Sequence, residues 1–299
     1  MFLAQLSIIH YYKAGFNLGE KNMSNLMQGK RGVIMGLAND KSIAWGIAKK
    51  LSEHGAEIAL TYQGDALLKR VQPLAEQLGA TVIEECNVTD QDSIDKAFDS
   101  IETKMGKIDF LVHAIGFSDK NELQGKYLDT TRANFINTMD ISCFSFTAVC
   151  NRAYKMMNDG GSALTLTYLG SEKYIPNYNV MGVAKAALEA SVRYLAVDMG
   201  DKGIRVNSLS AGPIRTLAAS GIGDFRTMLR WNELGAPLGR NMDIHDVGKS
   251  ALYLLSDLSS GVSGELHYVD GGYNMVGMPK LDKAGELAEV LQSIAEKQS

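Results

Sequence analysis

The sequence predicts an α/β fold in which a seven-stranded parallel sheet carries helices on both faces. Two observations lead to this prediction. From Lys30 onward, seven short apolar runs alternate with longer stretches whose apolar residues recur at helical spacing. Strands that alternate with helices form parallel sheets, and right-handed crossovers between such strands distribute the helices over both faces. The chain is therefore expected to form a single, doubly wound domain of the Rossmann type.

The predicted strands are short apolar runs, and the predicted helices lie between them. The strands are Gly32–Met35, Glu57–Tyr62, Thr81–Ile83, Phe110–Ile115, Ala163–Thr167, Arg205–Leu209 and Glu265–Val269. The helices cover residues 43–54, 65–78, 91–105, 128–158, 178–200 and 246–256. No linker, repeat or low-complexity segment interrupts this alternation, so one domain is expected to extend from residue 27 to residue 280.

Two terminal segments lie outside the predicted domain. Residues 1–26 contain the apolar stretch Phe2–Ile9, but no basic region precedes it and no A-x-A site follows, which argues against a signal peptide. We interpret this segment as an extension upstream of the true start, with Met23 or Met27 as candidate starts, or as a flexible tail. Residues 281–299 carry four apolar residues at helical spacing, which fits a docking helix or a partly ordered surface helix equally well.

Composition and charge argue against several classes of protein. The chain has 299 residues, of which 45% are hydrophobic and 21% charged, as in an ordinary globular protein. Its net charge of -4 argues against nucleic-acid binding, and no apolar run approaches the roughly 18 residues of a membrane span. Cys86, Cys143 and Cys150 form no C-x-x-C pair, and the five histidines lack metal-ligand spacing. We expect buried cysteines, structural or surface histidines, and no metal.

The loop Gly36–Gly46 follows the first predicted strand, where free N–H groups and a helix's positive end can bind a dinucleotide's pyrophosphate. Gly36 would allow the tight turn, Ser42 would cap the helix and donate to a phosphate, and Gly46 would let helix and strand approach. Only the outer glycines of the common G-x-G-x-x-G pattern remain, ten residues apart. A capped strand-to-helix turn without a ligand is therefore an equally good interpretation.

Gln63 follows the second predicted strand, at the position that usually selects the cofactor. A glutamine can hydrogen-bond the ribose hydroxyls but offers no charge for the 2′-phosphate of NADPH. Lys69 and Arg70 lie further along and are expected to be solvated helix residues. This pattern favours NADH.

Tyr178 and Lys185 are seven residues apart, so on a helix they lie nearly in line, two turns from each other. The lysine could hold a cofactor hydroxyl and lower the pKa of the phenol, while the phenol hydrogen-bonds a carbonyl oxygen that is gaining charge. The spacing alone is weak evidence, because a Tyr and a Lys fall seven apart by chance in many helices.

Several longer motifs together resemble the short-chain dehydrogenase/reductase superfamily. Within it the chain closely resembles the bacterial NADH-dependent enoyl-acyl-carrier-protein reductases of type II fatty acid synthesis. The resemblance extends from about Gly29 to Pro279, and the motifs that carry it are Gly36–Gly46, His113–Phe117, Thr167–Gly170, Ile175–Lys185 and Arg205–Gly221.

The resemblance implies a set of site residues. Tyr168, Tyr178 and Lys185 would be catalytic, although Tyr168 could instead be a core aromatic that ends a strand. Ser118, Tyr168 and Tyr178 would bind the substrate, and Leu217–Ile222 would be a flexible substrate-binding loop. The residues that would contact NAD are Gly36, Ser42, Ile43, Gln63, Asn87, Val88, Ile115, Gly116, Lys185, Ile214, Arg215, Thr216, Leu217 and Ala218.

One residue departs from the usual superfamily motif, and this departure bears on which reaction the protein catalyses. Most short-chain reductases carry Y-x-x-x-K and reduce a carbonyl, but the position four before Lys185 is Met181, whose thioether cannot donate a proton. In an enoyl thioester the hydride reaches Cβ while charge appears on the more distant thioester oxygen, which suits a donor set further from the lysine. A 3-oxoacyl thioester reductase and a non-catalytic NAD-sensing regulatory protein are the alternatives.

The resemblance also implies partners and a location. The substrate would arrive on acyl carrier protein, the protein would be a cytoplasmic homotetramer, and no nucleic acid or membrane would take part. Arg226 and Arg230 are four apart, so on a helix they share one face that could meet the acidic carrier protein. Two solvated arginines on an exposed helix are an equally good interpretation.

Overall fold

A computed structural model describes residues 25–217, 219 and 223–298. These residues contain one sheet of seven strands in the order β3-β2-β1-β4-β5-β6-β7, with every neighbouring pair parallel. The strands are β1 (Arg31–Met35), β2 (Glu57–Tyr62), β3 (Val82–Glu85), β4 (Ile108–His113), β5 (Met157–Thr167), β6 (Arg205–Ala211) and β7 (Leu266–Val269). The predicted seven-stranded, doubly wound fold is confirmed.

Helices cover both faces of the sheet. They are α1 (Ile43–Glu53), α2 (Asp65–Leu78), α3 (Gln91–Met105), α4 (Arg132–Met139), α5 (Ser145–Met156), α6 (Asn179–Asp198), α7 (Phe225–Gly235), α8 (Ile244–Leu255) and α9 (Ala284–Gln298). One apolar cluster packs α3, α5 and α6 against one face, and a second packs α1, α2 and α8 against the other. Cys86, Cys143 and Cys150 are unpaired and buried in the first cluster.

The single helix predicted over residues 128–158 is wrong. Its first turn is a separate 3-10 turn, because the Thr131 side chain accepts a hydrogen bond from the Asn134 N–H and starts α4 there. A π-helical turn, Asp140–Phe144, then separates α4 from α5. At the other end α5 stops at Met156, since the next residue is extended and pairs with β4 as the start of β5.

Two helices, α7 and α9, were not among the six predicted windows. They pack on each other through a small apolar cluster of Leu234, Leu287 and Val290. Residues 1–24 lie outside the described residues, whereas Met27 is fully buried in the core and its N–H donates to the His54 carbonyl at 2.9 Å. Among the described residues, no helix is long and apolar enough to cross a membrane.

The strand order places β1 beside β4, with the chain winding outward in both directions from that pair. In such sheets, ligands bind in the crevice outside the carboxyl ends of the strands at this switch point. The loops that follow β1, β4, β5 and β6 therefore meet at one edge. Most predicted site residues lie on these loops, at the start of α1 and at the start of α6, whereas Gln63, Asn87 and Val88 lie on the loops after β2 and β3.

Gly46 has a different role from the predicted one. A Cβ atom on Gly46 would lie 2.2 Å from the Ile244 carbonyl oxygen, and one on Gly248 would lie 2.5 Å from the Gly46 oxygen. The close approach that Gly46 permits is therefore between α1 and α8. The predicted contact between helix and strand is wrong at this position, because the neighbour of this helix face is another helix.

Candidate active site

Tyr178 and Lys185 lie at the beginning of α6, and both side chains are buried. The Lys185 Nζ atom donates to the Leu166 carbonyl oxygen at 2.9 Å. Burial lowers the pKa of the Lys185 ammonium to about 8, although Cys143 and Glu189 oppose this change. This is the only hydrogen bond from Nζ to the described residues, so the remaining N–H groups can bind a ligand.

The phenol of Tyr178 is held in its neutral form. Burial raises the pKa of the Tyr178 phenol, and Tyr168 and Glu189 raise it further. The predicted lowering of this pKa by Lys185 is not seen: the change is upward, and Lys185 is not among its causes. A neutral phenol is a hydrogen-bond donor at physiological pH, and that is the form in which it could stabilise an oxyanion.

The two predicted active-site tyrosines are in contact. The rings of Tyr168, which follows β5, and Tyr178 meet edge to face with centroids 5.1 Å apart. Gly170 makes room for this arrangement, because a Cβ atom there would lie 2.3 Å from Tyr178 Cδ1. Gly182, one turn along α6, approaches the Gly170 carbonyl, and its Cβ would lie 2.6 Å from that oxygen. Because Gly170 and Gly182 lack a Cβ atom, the segment that carries Tyr168 can approach the segment that carries Tyr178.

A buried polar layer behind these residues was not predicted as part of the site. Glu189 follows Lys185 by one helical turn, and its carboxylate accepts a hydrogen bond from the Thr167 hydroxyl, beside Tyr168. Burial raises the pKa of the Glu189 carboxyl, whereas hydrogen bonds from Ser171 and Thr167 and the charge of Lys185 lower it. The sequence signal was a carboxylate one helical turn after Lys185, on the same face of the helix.

His113, at the end of β4, is a buried structural residue, in line with one of the two predicted fates. Its Nε2 atom is 2.8 Å from Ser145 Oγ, and its Nδ1 atom is 3.2 Å from Thr165 Oγ1. Burial, and then the charge of Lys185, lower its pKa to about 3, so the ring is neutral at physiological pH.

In the turn after β1, the backbone of Gly36 lies very close to the backbone that follows β4. Gly36 has φ of 90°, and a Cβ atom on it would lie 2.1 Å from the Ala114 carbonyl oxygen, so only glycine fits. Ser42 occupies the N-cap position of α1, and Ile43 begins the helix. The prediction that the Ser42 side chain caps this helix is wrong, because its hydroxyl donates to the Asn39 carbonyl at 2.6 Å.

The structure brings the predicted adenosine-side residues together. The Gln63 amide donates to the Asn87 side-chain oxygen at 3.1 Å, and both the N–H and the hydroxyl of Thr89 also donate to that oxygen. Val88 is buried beside them. The Glu85 carboxylate accepts from the Gly64 N–H at 3.1 Å, which adds negative charge next to Gln63. Lys69 and Arg70 are exposed on α2, as predicted.

The remaining predicted cofactor residues follow β4 and β6. Gly116 lies beside the lysine, since a Cβ atom there would lie 3.6 Å from Lys185 Nζ, and Ile115 packs against the core. Ile214 is buried, Arg215 and Leu217 are exposed, and the Thr216 hydroxyl accepts from the Ala219 N–H. Ala218, like residues 220–222 of the predicted substrate loop, lies outside the described residues.

Ser118 is less available than its predicted substrate-binding role requires. The Thr138 hydroxyl donates to the Ser118 Oγ atom at 2.9 Å, and the Asn134 amide donates to the same atom at 3.1 Å. A substrate contact through this hydroxyl would have to compete with both partners.

The arrangement fits a dinucleotide. A tight turn at Gly36 leads to the N-terminus of α1. Hydrogen-bonding amides lie at one end of the crevice, and a buried ammonium with unused N–H groups lies at the other. When bound, a reduced nicotinamide cofactor would supply a hydride. Among the described residues, no group of three or more His, Cys, Asp or Glu side chains could hold a metal ion.

Arg226 and Arg230 both lie on α7, but they differ in their partners. Arg230 donates to Glu233 at 2.9 Å and also to Glu286 of α9, so its charge is compensated. Arg226 is exposed and lines a cavity of about 480 Å³ together with Ile214. Asp40 and Lys41, in the turn after β1, also line this cavity, whereas Tyr178 and Lys185 are not among its described lining residues.

Comparisons with known proteins agree on one family. The family model described as enoyl-(acyl carrier protein) reductase matches residues 36–274. Two similar proteins of Rhizobium meliloti are named enoyl-[acyl-carrier-protein] reductase [NADH] 1 and 2. The first is 70% identical over a region that covers 87% of this chain and 95% of the relative, and the second is 63% identical over 87% of this chain and 97% of the relative. An enoyl-acyl-carrier-protein reductase from Anaplasma phagocytophilum, solved in complex with NAD, superposes with a TM-score of 0.83 at 54% identity, covering 87% of this chain and 97% of that one.

Proposed function

This chain belongs to the enoyl-(acyl carrier protein) reductase family, and on that basis we propose that it reduces the trans-2 double bond of enoyl thioesters with NADH in fatty acid elongation. The observation that carries the proposal is the pairing of a buried, neutral Tyr178 with Lys185, while Met181 occupies the position of the usual carbonyl-reducing tyrosine. NADH, when bound, supplies the hydride that reaches Cβ of the substrate.

Tyr178 stabilises the charge that the reaction creates. Addition of hydride at Cβ moves an electron pair onto the thioester oxygen, and the phenol donates a hydrogen bond to that oxygen. A buried donor that is already oriented costs no reorganisation at the moment of reaction, and such a donor is worth about a hundredfold in rate. Tyr168, whose ring packs edge to face on Tyr178, limits the positions that the phenol can take.

Lys185 binds the cofactor. Its buried ammonium holds the nicotinamide ribose hydroxyls through the N–H groups that Leu166 does not use. The bond to the Leu166 carbonyl fixes the direction of the side chain, so the cofactor is held in a defined orientation. The lysine therefore positions one reactant, and the tyrosine stabilises the charge on the other.

Reduction of a 3-oxoacyl thioester is the nearest alternative, and the surroundings of Met181 argue against it. The Met181 sulfur is 3.7 Å from the Ser142 hydroxyl and its methyl group lies beside Gly116. A thioether cannot donate the hydrogen bond that a ketone oxygen at this position would need. A non-catalytic NAD sensor would have no need of a buried phenol beside the lysine.

Oxidation of NADH, followed by its absorbance, separates these functions. With crotonyl or decenoyl thioesters as substrates, the protein is expected to oxidise NADH steadily, whereas acetoacetyl thioester should give little or no oxidation. Faster oxidation with acetoacetyl thioester would indicate the carbonyl reductase. Tight NADH binding without oxidation by either substrate would indicate a sensor.

The acyl group arrives on acyl carrier protein, and Arg226 contacts that acidic partner. Its exposed position in the first turn of α7, shortly after the predicted substrate loop, supports this assignment. Arg230 contributes less than the sequence suggested, because Glu233 and Glu286 already neutralise it. Arg226→Glu should lower efficiency with carrier-protein substrate by roughly fivefold, since it reverses one surface charge.

The matched control for Arg226→Glu is Arg70→Glu, which reverses the charge of an exposed arginine on a different helix, α2. It should leave both substrates unaffected. Activity of Arg226→Glu on a small coenzyme A thioester should also be nearly unchanged, and its dependence on salt with carrier protein should weaken. Equal losses on both substrates would mean that the substitution damaged α7 and would remove the support for docking.

The protein is a cytoplasmic homotetramer in this proposal. Val183, Tyr194 and Val197 lie along one exposed face of α6, and Ile136 and Phe144 lie exposed on the adjoining helical segments. Tyr194 is 76% and Val197 78% exposed, which is unusual for neighbouring large apolar residues on a monomer. Sedimentation of the wild-type protein as a monomer would contradict the tetramer, and Tyr194→Glu should weaken the assembly.

A further inference from the structure

The backbone on both sides of Tyr178 has an unusual conformation. Among the described residues, three non-glycine residues have left-handed φ angles: Asn177 at 59°, Asn179 at 36° and Asp224 at 54°. Two of them flank Tyr178 directly. The third follows Gly223, whose carbonyl accepts a hydrogen bond from the Asn177 amide at 3.2 Å.

Left-handed conformations are costly for residues other than glycine. They persist only where the surrounding structure holds them. Asparagine adopts them more readily than most residues, which explains the residue type at 177 and 179. Because these residues meet at one place, beside the phenol assigned to the reaction, their conformation invites a functional explanation.

Neither asparagine side chain caps α6, although Asn177 lies just before this helix and Asn179 is its first residue. Asparagine is among the best N-cap residues, yet α6 begins without a side-chain cap, and Tyr178 itself occupies the N-cap position. The Asn177 amide donates instead to Gly223, just before α7. The Asn179 amide donates to the carbonyls of Glu122 and Gly125, in the loop between β4 and α4, at 3.4 Å each.

Tyr178 is thereby held from both sides. Its own φ and ψ are -105° and -27°, so one right-handed residue lies between two left-handed ones. The direction of its Cα–Cβ bond is fixed by these neighbours. Gly223 accommodates the arrangement, because a Cβ atom there would lie 3.1 Å from the Asn177 amide nitrogen.

We propose that Asn177 and Asn179 are positioning residues that set the place of the Tyr178 phenol by anchoring its backbone to the loops at Gly223 and at Glu122–Gly125. The inference rests on the proposed function of Tyr178. The hydrogen bonds of the two asparagine amides to the described residues go to Gly223, Glu122 and Gly125 and not to Lys185, so the Kd for NADH should change little when they are removed. A displaced phenol would lose its hydrogen bond to the developing oxyanion while the substrate and NADH still bind.

The test uses Asn177→Gly and Asn179→Gly, which keep the left-handed backbone without strain and remove the anchoring amide. Each should lower kcat about tenfold or more, since small misplacements of a reacting group have effects of this size, while KM and the Kd for NADH change less than about twofold. Asn241→Gly is the control, because its amide makes a comparable bond to the Leu229 carbonyl, at 3.0 Å, away from Tyr178.

Repeating the substitutions in Tyr178→Phe separates positioning from a general effect on the fold. If the asparagines act through the phenol, they should cause little further loss once the hydroxyl is absent. An equal loss in both backgrounds, or unchanged kcat in the glycine variants, would overturn the inference. Full activity of Tyr178→Phe alone would instead overturn the proposed function, so the two failures are distinguishable.

Discussion

The two ends of the cofactor crevice are built on different principles. At the end formed by β1, β2 and β3, the structure offers mainly backbone, at the turn of Gly36 and the start of α1, together with the exposed side-chain amide of Gln63. At the end formed by β4, β5 and α6, it offers buried polar side chains, chiefly Tyr178 and Lys185. The first end depends on the absence of side-chain atoms, and the second depends on the presence of particular ones.

This difference predicts how each end responds to change. A backbone site fails when a Cβ atom is added, and it is nearly insensitive to pH. A site of buried titratable groups loses catalysis when one functional group is removed, and it follows the pKa of that group. Buried groups are also those whose pKa values change most, as the ammonium of Lys185 shows. Four substitutions or titrations distinguish these behaviours.

The largest effect is expected at the backbone end, for Gly36→Ala. The added Cβ atom would overlap the Ala114 carbonyl, and the φ of 90° is itself unfavourable for alanine. Together these effects should lower the free energy of unfolding by at least about 3 kcal/mol and abolish NADH binding. Urea denaturation and NADH titration measure both quantities. Gly79→Ala is the control, because its φ is 67° but nothing lies within 4 Å of the added atom; equal losses in both variants would contradict the steric account.

Tyr178→Phe is expected to have the next largest effect, at the catalytic end. Loss of one oriented donor should lower kcat about a hundredfold, which corresponds to about 3 kcal/mol in the barrier. The Kd for NADH should be nearly unchanged, because the lysine binds the cofactor. Tyr168→Phe, measured alongside, should lose less. If Tyr168→Phe loses more kcat than Tyr178→Phe, Tyr168 is the main donor.

The pH dependence of NADH binding tests the buried ammonium. In the free protein the pKa of Lys185 is about 8, and bonds to the ribose hydroxyls favour the charged form, so binding takes up a proton above that pH. Affinity should therefore fall as pH rises through about 8, by at most about tenfold per pH unit. Lys185→Arg, whose guanidinium stays charged, should bind NADH with little pH dependence in this range. A flat profile in the wild-type protein would remove the ammonium from cofactor binding.

The smallest effect is expected at the exposed adenosine end. Gln63 provides no cation for a 2′-phosphate, and the Glu85 carboxylate lies nearby, so NADH should be used more efficiently than NADPH. Gln63→Arg should improve kcat/KM with NADPH relative to NADH by about twofold to fivefold, the range of an exposed ion pair. Steady-state kinetics with both cofactors measure the ratio. Higher efficiency with NADPH in the wild-type protein would point to Lys69 or Arg70.

The fold was predictable because the alternation of apolar runs and amphipathic stretches is local information. The strand at Glu57–Tyr62, for example, has the same bounds in the prediction and in the structure. The break between α4 and α5 was not predictable from periodicity. Cys143, in the π-helical turn, and Phe146, just after it, both face the core, so the apolar pattern continues through the break. The start of α4 depends on the hydrogen bond between the Thr131 side chain and the Asn134 N–H, which the apolar pattern does not reveal.

The site was predictable where a motif fixes residue types and less so where packing decides. Tyr178, Lys185 and Gln63 follow from motif positions. Glu189 was missed because its burial arises from the packing of α6 against the turn after β5. The pairing of Arg230 with Glu286 joins residues 56 positions apart, a contact that no local pattern predicts.

The central claim is that the buried end of the crevice reduces a carbon–carbon double bond and not a carbonyl. The most direct test is a reaction of decenoyl thioester with NADH that carries deuterium at both C4 positions, followed by mass spectrometry and NMR of the product. The expected product is a saturated thioester with one deuterium at Cβ. Deuterium on a hydroxyl-bearing carbon after reaction with the 3-oxoacyl thioester, with no transfer to the enoyl thioester, would contradict the claim.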